Sequence, residues 1–290
     1  MSQMHKDQPW DTVIRSHRRW FDLDLTGVLK YRDLIGMLVK RNFTVTYKQT
    51  VLGPAWVVIQ PLLTTIVFTV IFGNIAGLPT DGMPKFLFYM AGSILWQYFS
   101  KCLTNTSNTF IANRHIFGKV YFPRLCMPIS IAATQLISFG IQFVLFIAFV
   151  IYYVLQPGTA VNPDLSRVWM LPVILLQTGM LGMGCGIIIS AMTTKYRDLQ
   201  MLVEFGVQLW MFVTPVTYSA SLITEKYPHL VGLYMLNPVT PVLEMFRSVF
   251  LGAEACADLY YVYSWCITLL VFVVGVILFS RTEKYFMDTV

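Results

Sequence analysis

The sequence predicts an all-α integral membrane protein. It should have six transmembrane helices, an N-terminal amphipathic interface helix and a re-entrant outer helical pair before the last span. Three observations predict this. Hydrophobic residues make up 56% of the chain and charged residues only 12%, where a soluble domain carries roughly 25% charged. With a mean hydropathy of +0.61, little is left over for a water-soluble domain. Charge-poor runs recur at 49–80, 86–100, 125–163, 168–194, 199–224 (broken by Glu204) and 259–280, and most exceed the ~20 residues a crossing helix needs. Finally, of the 21 Lys and Arg residues, sixteen lie in the two termini and in the loops around 113–124 and 193–198. The opposite loops hold only Lys85, Arg167, Lys226 and Arg247, and Lys101 sits within a span. Positive loops stay inside, so both termini are expected in the cytoplasm. Position thus explains the net charge of +6, and nucleic-acid binding is not implied.

The chain divides into a cytoplasmic lead with an interface helix over 1–48 and a six-span domain over 49–290. Its outer re-entrant segment covers about 218–258. In the lead, Tyr31, Leu34, Ile35, Leu38 and Val39 recur at helical spacing, with Lys30, Asp33, Lys40 and Arg41 on the opposite face. Such a helix lies along a membrane surface, either as a simple anchor or with its basic side toward a partner. The first 50 residues are polar rather than a short apolar core, so the first span is expected to act as its own insertion signal. That span opens through Gly53-Pro54, with Trp56 at interface depth; proline suits a first helical turn and tryptophan the headgroup zone.

The second span has an unusual inner half, QYFSKCLTNTSNTFIAN from Gln97. Gln97, Lys101, Thr104 and Asn108 are spaced by four, three and four residues and share one helical face. Polar groups at membrane depth are costly unless paired or wet, so this face lines either a water-accessible path or a helix–helix contact. The following loop, Asn113 to Arg124, is basic with interleaved aromatics, which either dock into a partner or anchor in the interface. A second inner loop, Thr194 to Asp198, is shorter still. Beyond Thr214 the outer segment is broken by Pro215, Pro228, Pro238 and Pro241. Two apolar stretches there, 230–236 and 242–251, are too short to span, and Asn237-Pro238 or Thr240-Pro241 starts the second of them. Glu244 and Arg247 stand three apart and are expected to pair. The last span ends in Arg281.

Known chemistries find no foothold. There is no phosphate-binding GxxxxGK[ST] loop, no HExxH, no GxSxG and no paired-carboxylate constellation. The five cysteines are scattered without a CxxC pair and read as small apolar filler. No catalytic, cofactor or metal site is expected.

Several of these segments together resemble the permease subunits of type-2 ABC exporters that move polysaccharides. They are YKQTVLGPAW from Tyr47 to Trp56 with the downstream Gln60-Pro61, KVYFPR from Lys119 to Arg124, Lys195-Tyr196-Arg197-Asp198, and Asn237-Pro238 followed by Glu244 and Arg247. The resemblance runs from about Arg32 to Lys284 in the family's order. Thr46 departs from it, standing where many relatives have arginine. What the resemblance implies is a homodimer in the bacterial cytoplasmic membrane, with one separate ABC ATPase subunit beneath each copy binding the ATP and magnesium. The implied cargo is a lipid-linked glycan of the O-antigen or capsule kind. Implied coupling residues are Lys40, Arg41, Tyr47, Lys48, Arg114, Lys119, Tyr121, Arg124, Lys195, Tyr196, Arg197 and Asp198. The expected path is lined by Gln97, Tyr98, Ser100, Lys101, Thr104, Asn108 and Trp210, although a lipid-facing belt suits the aromatics equally. An exporter of drugs or small lipids is the alternative, and a membrane glycan transferase a more distant one.

Overall fold

The computed structural model describes residues 30–48, 52–113, 122–159, 161–193, 198–253 and 257–288, the last from 281 by backbone alone. Arg114, Lys119, Tyr121, Lys195, Tyr196 and Arg197 lie outside the described residues, as does Cys256. Every regular element among the described residues is helical.

Helix α1, Arg32–Tyr47, is amphipathic as its spacing predicts. Leu38 is buried against Phe110, Phe122, Cys126 and Met127, with Tyr31, Leu34 and Ile35 packed beside it. Lys40, Arg41 and Lys48 remain exposed. After a short 3-10 turn, Gly53–Ala55, which Gly53 enters at φ 53°, helix α2 covers Trp56–Phe68. Its outer end winds into a π-helix, Thr69–Ile75. Pro61 inside α2 has no N–H to give to the carbonyl four residues back, at Val57. Gln142 fills that vacancy, donating its Nε2–H to the Val57 oxygen at 3.1 Å.

Helix α3, Lys85–Ser107, is the axis of the molecule. Sixteen of its 23 residues are buried, and it packs against α2 and against the helices introduced next. A one-turn helix α4, Thr109–Ala112, follows it. Helix α5 spans Cys126–Val154. Helix α6, Leu171–Thr193, is led in by a 3-10 segment, Leu165–Met170. Asp164 caps that segment by accepting from the Ser166 backbone N–H, and hydrogen bonds from Ser166 hold its carboxyl below the usual carboxylate range. Glycines bring α6 close to two neighbours. A Cβ at Gly186 would stand 2.7 Å from the Leu103 carbonyl oxygen, and one at Gly182 would stand 2.8 Å from that of Phe99. On another face, Gly275 approaches the Gly184 carbonyl equally closely. Small residues spaced by four let membrane helices touch backbone to backbone.

Helix α7, Leu199–Val213, ends where Thr214 turns extended before Pro215. The run expected over 199–224 is therefore not one helix, because proline removes the N–H that would continue it. The outer segment then builds α8 (Ala220–Lys226), a 3-10 turn (Pro228–Leu230), α9 (Val231–Met235) and α10 (Val239–Leu251). Helix α10 is buried throughout and stops at Gly252 in the left-handed region, φ 76°. Asn237 starts it, its Oδ1 accepting from the Val239 N–H at 3.2 Å, so Asn237-Pro238 rather than Thr240-Pro241 marks the boundary. Helix α11, Asp258–Asp288, closes the chain.

Among the described residues, four stretches are long and apolar enough to cross a membrane: Gly53–Ile75, Cys126–Val154, Leu165–Thr193 and Asp258–Ser280. The other two expected spans stand apart for different reasons. Helix α3 has the length, about 34 Å at 1.5 Å per residue, but its C-terminal half is polar. Helix α7 has the apolarity but only 15 residues.

Candidate functional site

The polar face of α3 is also its accessible face. Gln97, Ser100, Lys101, Thr104 and Asn108 are each partly exposed, whereas Phe99, Cys102, Leu103 and Thr106 on the other side are buried. The hydroxyls on this face are satisfied by the helix itself. Ser100 donates to the Gln97 carbonyl at 3.2 Å and Thr104 to the Ser100 carbonyl at 2.8 Å, the back-bonding usual for hydroxyl side chains in membrane helices. The amides are not satisfied: Gln97 Oε1 and Asn108 Oδ1 are both buried without a hydrogen-bond partner.

Between α3 and α5 this face opens into a small cleft lined by Gln97, Tyr98, Lys101, Gln135, Ser138, Phe139 and Gln142. Two of these are fixed by the fold. Gln142 is held on Val57, and Ser138 donates to the Thr134 carbonyl at 3.3 Å. Tyr98 leans on Phe139 with ring centroids 5.6 Å apart, and its hydroxyl occupies the space a Cβ at Gly179 would need. The cleft thus has one aromatic wall and one amide-lined wall. Sequence reasoning missed the α5 contribution, although Gln135, Ser138 and Gln142 stand three and four apart inside an otherwise apolar run, which is one helical stripe.

Trp210 does not join the cleft. It packs on the far side of α3, 5.1 Å from Phe99 and 6.5 Å from Trp96. There its Nε1–H donates to Asn237 Oδ1 at 3.1 Å. Asn237 in turn donates to Thr214 Oγ1 at 2.9 Å, so one amide ties α7 to the start of α10. Trp56 is 42% exposed.

The residues expected to couple to an ATPase are divided among several elements. Lys40, Arg41, Tyr47 and Lys48 lie on or beside α1, and Asp198 is exposed at the head of α7. Arg124 is buried near the start of α5. A guanidinium N–H of Arg41 reaches Asn113 Oδ1 at 3.4 Å, joining α1 to the segment after α4.

On α10, Arg247 is fully buried and pairs with Glu244 at 3.3 Å. It also donates to the carbonyls of Val216 (3.1 Å) and Phe88 (3.4 Å) and lies 3.6 Å over the Phe88 ring. Gly92 makes room for it: a Cβ there would stand 2.8 Å from the guanidinium. This arginine therefore pins α10 to α3 and to the turn after α7. Nearby, Asp81 accepts hydrogen bonds from Ser219 and Ser221, joining the loop before α3 to the start of α8.

A bundle of apolar helices around a central helix that carries one polar stripe is the build of a membrane transport subunit. The chain belongs to the ABC-2 type transporter family, whose pattern matches residues 33–251. It is 28% identical over 260 residues to an O-antigen export system permease protein RfbA of Klebsiella pneumoniae, covering 88% of this chain and 94% of that one. A second Klebsiella pneumoniae protein of that name matches to the same extent. RfbA of Myxococcus xanthus is 27% identical over 222 residues, covering 76% of this chain and 81% of its own.

Proposed function

We propose that this chain is the permease subunit of an ATP-driven exporter that moves a lipid-linked polysaccharide of the O-antigen or capsule kind across the bacterial cytoplasmic membrane. The observation that carries this reading is the polar, accessible face of α3 inside an apolar bundle, in a family member whose relatives are named as O-antigen export permeases. Hydroxyl and amide groups suit a cargo rich in hydroxyls, and aromatic walls suit the apolar faces of sugar rings. A path for a drug-like molecule has no use for Gln97, Thr104 and Asn108 on one stripe.

In this reading α3 and α7 join the four apolar stretches to make six spans, with both termini cytoplasmic. The polarity of α3 is tolerated because its stripe faces the path while its other side is packed against neighbouring helices. Helix α1 lies in the inner interface, and α9 with α10 forms the re-entrant outer pair. Residues 1–48 thus form the cytoplasmic lead and 49–290 the membrane domain. Two copies pair about the path, each above a separate ABC ATPase that binds ATP and magnesium. The inner loops, including Arg114, Lys119, Tyr121, Lys195, Tyr196 and Arg197, receive the ATPase stroke, and α1 passes it on through contacts such as Arg41–Asn113.

Deleting the chain in its host while keeping the ATPase tests this. Lipid-linked glycan should accumulate inside and vanish from the surface, and the wild-type chain should restore it only beside an ATPase able to hydrolyse ATP. Surface glycan at normal levels without the chain, or energy-dependent transport by the purified chain alone, contradicts it.

A further inference from the structure

The cleft beside α3 contains a cation with no counter-charge. Lys101 is half-buried and makes no ion pair or hydrogen bond among the described residues. Every other side chain lining the cleft is neutral. A lone ammonium at this depth is costly unless water or an anion meets it. The donors around it are unevenly committed. Gln142 is spent on Val57 and Ser138 on Thr134. Gln135 is half-exposed and makes no hydrogen bond among the described residues, whereas the unpartnered atom of Gln97 is its Oε1, an acceptor rather than a donor.

We propose that this cleft seats an oxyanion of the phosphoryl or carboxylate type, with Lys101 supplying the charge and Gln135 a directed hydrogen bond. A neutral hydroxyl fills the space but leaves the ammonium uncompensated, and an oxyanion does both tasks at once. Tyr98 and Phe139 form an apolar wall for whatever group carries the anion. The identity of the carrier rests on the export reading, as either the phosphate of a lipid headgroup or the carboxylate of an acidic sugar; the seat itself does not.

The test uses the purified full chain in phosphatidylcholine nanodiscs. Lysines are acylated with an amine-reactive acetate ester, and rates are read site by site by mass spectrometry. Lys226, exposed at the end of α8, is the reference. Farnesyl phosphate, methyl glucuronide and farnesol serve as probes. At about ten times its dissociation constant, a probe that occupies the seat slows Lys101 acylation roughly tenfold and leaves Lys226 unchanged. Protection by farnesyl phosphate assigns the seat to a lipid headgroup, and protection by the glucuronide to an acidic sugar. Gln135→Leu raises the half-protecting concentration of whichever probe binds. Farnesol protecting as well as farnesyl phosphate overturns the proposal, as does an unchanged Lys101 rate with both anions. Protection without export in the host leaves the seat standing and removes the export reading; export without protection does the reverse.

Discussion

Gln142 donates its side-chain amide to the Val57 carbonyl that Pro61 leaves empty. The two helices are therefore joined by a bond whose need arises from one residue and whose supply comes from another, far away in sequence. Inside a membrane such a carbonyl has no water to fall back on.

Gln142→Leu should lower stability by about 1–3 kcal/mol, the cost of an orphaned buried acceptor. Adding Pro61→Ala restores a backbone donor, and much of the loss should return. Unfolding midpoints of the four proteins in one detergent decide this; equal losses with and without Pro61 would sink the explanation.

Arg247→Met strands Glu244, buried beside it, and should destabilise by ~3–5 kcal/mol, as removal of one member of a buried pair does. Glu244→Gln added to it relieves the uncompensated charge and recovers part of that. Gly92→Ala reaches the same arginine from below and should cost about 1–3 kcal/mol through overpacking. A folded, unshifted Gly92→Ala protein shows that α10 can lift off α3 freely.

Gly186→Val pushes α6 away from the Leu103 carbonyl and the Thr106 side chain, so folded yield should collapse. Gly206 on α7 meets nothing within 4 Å, and Gly206→Ala should be neutral or gain up to about 1 kcal/mol of helix propensity. Size-exclusion profiles of the two variants make the comparison.

Thr104→Trp and Asn108→Trp place bulk on the accessible stripe of α3 and leave its buried side intact. Export should stop while assembly with the ATPase survives. Normal surface glycan from the doubly substituted chain removes these positions from the path.

Asp164 has its carboxyl held below the usual range by Ser166. Its cap on the 3-10 turn is complete above the ordinary carboxylate pKa and is lost as pH falls through the lower, folded value. The protection factor of the Ser166 amide, its exchange rate relative to the unstructured rate at the same pH, should hold at neutral pH and fall only below roughly pH 4.

Much of this was legible in the residues. Long apolar runs mark α2, α5, α6 and α11, and the spacing of Leu34, Ile35 and Leu38 marks the packed face of α1. The polar stripe of α3 shows in the spacing of Gln97, Lys101, Thr104 and Asn108. What stayed hidden depends on distant partners. Gln142 reads as one polar residue in an apolar run until Val57 is seen beneath it. Gly182 and Gly186 are legible as a spacing, but which helix they admit is not. That Trp210 packs outside the α3–α5 cleft depends on Asn237, 27 positions on, to which its indole donates. The apolar run continues past Pro215 and overstates α7, which ends at Val213 because the hydrogen-bond ladder cannot pass the proline.

The packing of α3 also bears on how the chain is made. A nascent segment carrying Gln97, Lys101 and Asn108 gains little by leaving a translocon for lipid alone, since α5, which lies beside its stripe, and α6, which packs on its other side, are synthesised afterwards. It must wait beside the channel, or be held by α2, until α5 and α6 emerge. Ribosome-stalled chains ending just after residue 113 should therefore remain extractable by alkali, and chains stalled after α6 should not.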